Sequence, residues 1–120
     1  AGVQHSEMFP MLKTDSANTL ELFQIWLNLP KKSKMVPAHF KMFWSEQIPQ
    51  IQNPKVHVNL IAGSFEGKQS LQPPPDSWAS DPKNEVLILL VKLDEGGEIT
   101  LPQVSEETNR MLYFFEGSFL

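Results

Sequence analysis

The opening run Gly2-Val3-Gln4-His5-Ser6-Glu7-Met8-Phe9-Pro10 places an imidazole and a carboxylate two positions apart. On an extended strand residues at that spacing share a face, so His5 and Glu7 are expected to point together while Ser6 points away. A nitrogen donor beside an oxygen donor suits a borderline divalent ion such as iron, nickel or manganese. Two ligands seldom hold an ion firmly. On residue types alone, an exposed or hydrogen-bonded strand end is the more economical reading of the pair.

Other chemistry is sparse. The remaining histidines, His39 and His57, stand within Val36-Pro37-Ala38-His39-Phe40 and Pro54-Lys55-Val56-His57-Val58. Serine beside histidine in His5-Ser6 is no nucleophile-base pair, because adjacent strand residues face opposite ways. The glycines never fall into a phosphate-cradling pattern. Glu106-Glu107 reads as a solvated loop.

More specific than any single pair is the order of several runs. The stretch Gly2 to Pro10 is followed by Leu22-Phe23-Gln24-Ile25-Trp26-Leu27-Asn28-Leu29, Lys34-Met35-Val36-Pro37 and Ser45-Glu46-Gln47-Ile48-Pro49. In order and spacing these resemble the pirin family of two-barrel cupins. Weaker likeness continues through Val58-Asn59-Leu60-Ile61-Ala62-Gly63 and Val91-Lys92-Leu93-Asp94-Glu95-Gly96-Gly97 to Tyr113-Phe114-Phe115-Glu116-Gly117.

The resemblance implies that His5 and Glu7 correspond to the last two ligands of the iron site in the N-terminal cupin of that family. The other two ligands there form a His-x-His pair on a neighbouring upstream strand, and this sequence contains no such pair. His39 and His57 match no ligand position of the family. The implied fold is all-β, a cupin-type jelly-roll, with the end of one barrel and the start of a second. The division expected is 1–63 for the C-terminal part of the first cupin, 64–83 for a proline-rich crossover and 84–120 for the opening strands of the second, which in that family usually lacks a working metal site.

Length and composition agree with an incomplete object. The chain of 120 residues suffices for one ordinary domain and about half of a two-barrel protein, and it starts at Ala1 inside a recognisable motif. It reads as a piece of something longer. Fourteen acidic against ten basic residues give a net charge of −4, which offers no field for nucleic acid. The cluster Lys31, Lys32 and Lys34 after Pro30 reads as a solvated turn. Cysteine is absent, so disulfides, thiolate nucleophiles and cysteine-zinc clusters are excluded. The longest apolar stretch, Val86 to Val91, is far below the roughly 18 residues needed to cross a bilayer. A soluble, cytoplasmic protein is the expectation.

The elements that must position any site read as strands. Leu20 to Leu29 mixes aromatic and branched residues without a helical period and is expected to be a largely buried strand. Gln24, Trp26 and Asn28 share one face of it, either lining a ligand cavity or packing as an ordinary strand. Met35 to Trp44 reads as extended and edge-like because of Pro37. Val56 to Ala62 alternates Val56, Val58 and Leu60 against His57, Asn59 and Ile61, the pattern of a half-buried strand closed by Gly63. From Gly63 to Lys83 the chain is polar and turn-rich, with the Pro73-Pro74-Pro75 triplet. Val86 to Leu93, the turn Asp94 to Gly97 and Glu98 to Leu101 predict a β-hairpin. Met111 to Phe115 predicts one more strand.

Two functions follow from the resemblance. One is an iron-dependent dioxygenase of quercetin-like flavonols, with a small aromatic substrate. The other is a metal-containing regulator that binds a partner protein. For the chain alone, the expectation is little or no bound metal, no activity, and self-association into a dimer or larger through strands left without cover.

Overall fold

In β2, Val56–Ala62, every second residue is buried: Val56, Val58 and Leu60 turn inward while His57 and Asn59 face out. That alternation is what an antiparallel sheet covered on one side requires. The protein is described here from a computed structural model over residues 4–118. β2 is the middle strand of a three-stranded sheet, flanked by β1, Gln50–Asn53, and by the apolar strand Ile88–Leu93, with both pairings antiparallel. Two further strands, β3 at Ser64–Phe65 and β4 at Lys68–Gln69, form a small hairpin, so Ile88–Leu93 is β5.

Local chemistry explains the turns. β1 and β2 are joined by Pro54-Lys55, with the Asn53 side-chain oxygen accepting a hydrogen bond from the Lys55 amide at 3.0 Å. The β3–β4 turn holds Glu66 at φ 46° and Gly67 at φ 74°, the two positive angles of a type I′ turn. Gly63 ends β2 at φ 87°. A Cβ there would meet the Val86 carbonyl at 2.3 Å, so only glycine lets β2 pass this close to the start of β5.

The core is small. Val56, Val58, Leu60 and Phe65 are buried, and Ile51, Leu87, Leu89, Val91 and Ile99 pack against them. Register aligns Val56, Val58 and Leu60 with Leu93, Val91 and Leu89 of β5, so the two apolar rows share one face. Outside this nucleus the chain is open. Its radius of gyration, 16.7 Å, exceeds the about 14 Å of a compact domain of this length. Among the described residues no helix is long and apolar enough to cross a membrane; α1 is a single turn, Lys31–Lys34, where a solvated turn was expected.

The all-β expectation holds, and the described strands close no barrel. Several elements depart from expectation. Leu20 to Leu29 is neither a strand nor buried: Trp26 is 85% exposed, and Leu20, Leu22, Phe23, Ile25 and Leu27 are exposed too. No described strand pairs with it, so nothing removes its apolar side chains from water. Met35 to Trp44 also pairs with no strand; it runs beside the proline-rich loop, tied by a His39–Asp76 contact of 3.1 Å and a 2.7 Å bond from Lys41 Nζ to the Gln72 carbonyl.

The expected hairpin at Val86 to Leu101 does not form. Its turn does, with Gly97 N–H donating to Asp94 C=O at 2.8 Å, but Asp94 N–H donates to Lys55 C=O at 2.9 Å. The turn is thereby committed to the β1–β2 loop, and β5 takes β2 as partner while Glu98 to Leu101 leaves as irregular chain. Met111 to Phe115 is likewise no strand, though the Phe115 ring lies 4.6 Å from that of Phe23. Within the span expected to be a bare crossover, 64–83, the β3–β4 hairpin and the 3-10 turn Trp78–Ser80 appear. β2 and β5 lie on opposite sides of that span in sequence, so one sheet runs across the expected boundary at Gly63.

A carboxylate fastens the loop after β5. Glu85, at φ 49°, accepts hydrogen bonds from the Thr108 hydroxyl and, at 2.7 Å, from the Ser105 hydroxyl, with the Ser105 amide 3.2 Å away. Those donors, the Thr108 hydroxyl foremost, hold the Glu85 carboxyl below the ordinary carboxylate range.

Two outcomes are expected. Leu60→Ala should cost about 2–5 kcal/mol of stability in urea unfolding, whereas Trp26→Ala should change it by less than about 0.5 kcal/mol; equal losses would mean that 20–29 is covered. Because the folded pKa of Glu85 is depressed, its contribution is present above the pKa of the unfolded chain and fades as pH falls through the folded value. The protection of the Ser105 amide against exchange, taken relative to its intrinsic rate at each pH, should therefore fall on acidification below the ordinary carboxylate range, and Glu85→Gln should remove that dependence.

Candidate metal centre

His5 and Glu7 come together as the strand argument requires. His5 Nε2 lies 3.5 Å from Glu7 Oε1, and both side chains stand about half open to solvent, at 58% and 47% exposure. The segment carrying them belongs to no sheet. Two donors about 2.1 Å from one ion at tetrahedral or octahedral angles are roughly 3.0–3.4 Å apart, so little movement would let this pair chelate.

The donor types fit a borderline divalent ion; their number does not complete a site. Among the described residues no group of three or more His, Cys, Asp or Glu side chains could hold a metal ion. The other histidines are engaged elsewhere. His39 faces Asp76 at 3.1 Å. His57 has Gln52 Nε2 at 2.6 Å from its Nδ1 and Asn59 Oδ1 at 3.3 Å from its Nε2.

That second cluster is a property of sheet register. Gln52 and His57 are directly opposite on β1 and β2, and Asn59 is two residues on along the same face. Asn59 follows from strand parity, whereas Gln52 could be placed only once the pairing of β1 was known. Gln52 and His57, with Lys92 opposite His57 on β5, border a shallow depression of about 270 Å³. A larger opening, about 580 Å³, lies between the β3–β4 hairpin and 100–103. Neither contains His5 or Glu7.

The trio expected to line a cavity borders neither of these two openings. Gln24, Trp26 and Asn28 are all exposed, and the Asn28 side-chain oxygen accepts a 2.6 Å bond from Lys34 Nζ. The geometry thus provides two adjacent donors on an open segment, and a polar sheet face built around the Gln52–His57–Asn59 contacts some way along the chain.

Comparison with known proteins gives these residues a context. No family model matches the chain, and no solved structure matches it. The "putative quercetin 2,3-dioxygenase" of Pseudomonas aeruginosa is 31% identical over 118 residues, covering 98% of this chain and 39% of that protein. A Vibrio cholerae protein of the same description is 31% identical over 121 residues, with the same coverage. A "pirin-like protein" of Solanum lycopersicum is 29% identical over 116 residues, 97% of this chain and 35% of its own length. The chain therefore spans about two fifths of the length of the curated relatives it matches. Over nearly all its residues the chain is thus similar to pirin-like proteins and to proteins described as putative quercetin 2,3-dioxygenases, and its described structure is all-β, as a cupin requires.

Proposed function

We propose that, within a protein of its relatives' length, this chain carries the end of one cupin barrel and the opening of a second, and that the first barrel holds iron and oxidises quercetin-like flavonols with dioxygen. What supports the reading is the convergence of His5 and Glu7 at 3.5 Å, together with relatives named for that dioxygenase chemistry. The pairing of β2 with β5 favours setting the whole of β1 to β5 on the second side of the division, rather than dividing at Gly63.

In this reading His5 contributes an imidazole nitrogen and Glu7 a carboxylate oxygen to one side of the ion. The ion, when bound, supplies the activation of dioxygen that protein side chains lack. The remaining ligands come from residues outside this chain, so the 120-residue chain by itself holds metal too weakly for turnover. Gln24, Trp26 and Asn28 remain candidates for shaping a small aromatic substrate's cavity once the segment they occupy is paired.

A second reading, a metal-containing regulator that binds a partner protein in the cytoplasm, is favoured by the exposed apolar runs at 20–29 and 111–115. Cupins host both kinds of protein, so architecture leaves the two side by side.

Metal analysis of the purified chain should find iron far below one ion per chain; a stoichiometric ion would mean that the site is complete without further residues. In the full-length protein loaded with iron, quercetin should drive oxygen consumption, and His5→Ala or Glu7→Ala should reduce it by at least about 100-fold. Absence of turnover in the loaded full-length protein would leave the regulator reading standing.

A further inference from the structure

The face of the three-stranded sheet turned away from the apolar cluster carries a polar row that crosses all three strands. Gln52 on β1, His57 on β2 and Lys92 on β5 stand opposite one another. With Asn53 at the end of β1 and Asp94 just past β5, they border the depression of about 270 Å³. Each of these residues sits on a paired strand or on the turn that closes it. Strands that continue a sheet add at its edges and leave its faces as they were, so the row stays on the outside of a barrel whose interior is the apolar cluster.

Hydrogen bonds inside the row decide which groups remain for a ligand. His57 Nε2 faces the acceptor Asn59 Oδ1 at 3.3 Å, which places the ring proton there and leaves Nδ1 to accept the 2.6 Å bond from Gln52 Nε2. Gln52 thus keeps a second N–H to offer. The Asn53 side-chain oxygen is taken by the Lys55 amide at 3.0 Å, so the nitrogen of that side chain is what remains. Lys92 and Asp94 are exposed, and neither forms an ion pair among the described residues. The depression is therefore bordered by one ammonium, two amide nitrogens and one carboxylate.

We propose that this depression binds hydrogen phosphate. An ammonium and two amide nitrogens suit the oxygens of a tetrahedral oxyanion, with the charge-assisted bonds coming from Lys92. The carboxylate beside them repels an anion that has lost every proton and accepts a hydrogen bond from one that keeps a hydroxyl. Inorganic phosphate keeps such a hydroxyl at neutral pH, whereas sulfate has none and a phosphate ester gives up its last proton at about pH 6. Lys92 supplies the attraction, and Asp94 sets the specificity. His57 and Asn59 do not touch the ligand; they hold the Gln52 amide with its nitrogen in place.

The purified chain, titrated with inorganic phosphate at neutral pH and constant ionic strength, should show saturable shifts of the Gln52 and Asn53 side-chain amide signals in nitrogen–proton correlation spectra. Sulfate and methyl phosphate should bind at least about tenfold more weakly. Lys92→Gln should weaken phosphate binding about tenfold, and Lys83→Gln, the same charge change outside the depression, should leave it unaltered. Asp94→Asn should bring sulfate to within about twofold of phosphate. Both altered residues of the depression are exposed, so the apolar cluster stays intact in these variants. Signals that do not move, equal responses to phosphate and sulfate, equal losses with Lys92→Gln and Lys83→Gln, or an unchanged preference for phosphate in Asp94→Asn would overturn the proposal; so would methyl phosphate binding as tightly as phosphate.

Discussion

The antiparallel pairing of β2 with β5 is the constraint on which the remaining order depends. It aligns two apolar rows so that Val58 and Leu60 lie fully out of water, which no other pair of described segments achieves. Gly63 permits the approach, the Asp94–Lys55 backbone bond ends it, and the β3–β4 hairpin folds Phe65 over the same nucleus. Without this ladder, nothing in the described residues would bury a second apolar face.

Segments that do not reach the nucleus behave accordingly. The run 20–29 has more apolar residues than β2, yet it stays exposed because no described strand pairs with it. A strand is a relation between two stretches of chain, and backbone groups left unpaired gain nothing from burial. The same argument covers 111–115, which carries the Phe23–Phe115 ring pair but joins no described strand. The His5–Glu7 pair sits on this looser part, upstream of the sheet, so its two donors are brought together by local alternation and not by tertiary packing.

Polar contacts do secondary work. His39–Asp76 and Lys41–Gln72 lay the 36–44 segment along the proline-rich loop, and Glu85 gathers Ser105 and Thr108. Most of these contacts are exposed, so water competes for them and they orient chain more than they stabilise it. Their value is in routing the connections that a small core cannot direct.

What could be read from the sequence was whatever depends on neighbours along the chain. The period of two in Val56 to Ala62 correctly gave the buried face and put His57 and Asn59 outside, the Asp94 to Gly97 turn formed where its residues demanded, and the spacing of His5 and Glu7 turned their side chains together. The likeness to pirin-like proteins, too, was legible in the order of its runs. Where the residues alone misled was partnership: Glu98 to Leu101, next along the chain after the turn, was the expected mate for β5, and Gln52 gave no sign of meeting His57. Tertiary structure chose β2, because only that register stacks Val56, Val58 and Leu60 on Leu93, Val91 and Leu89, and the free energy of burying both rows together belongs to neither strand by itself.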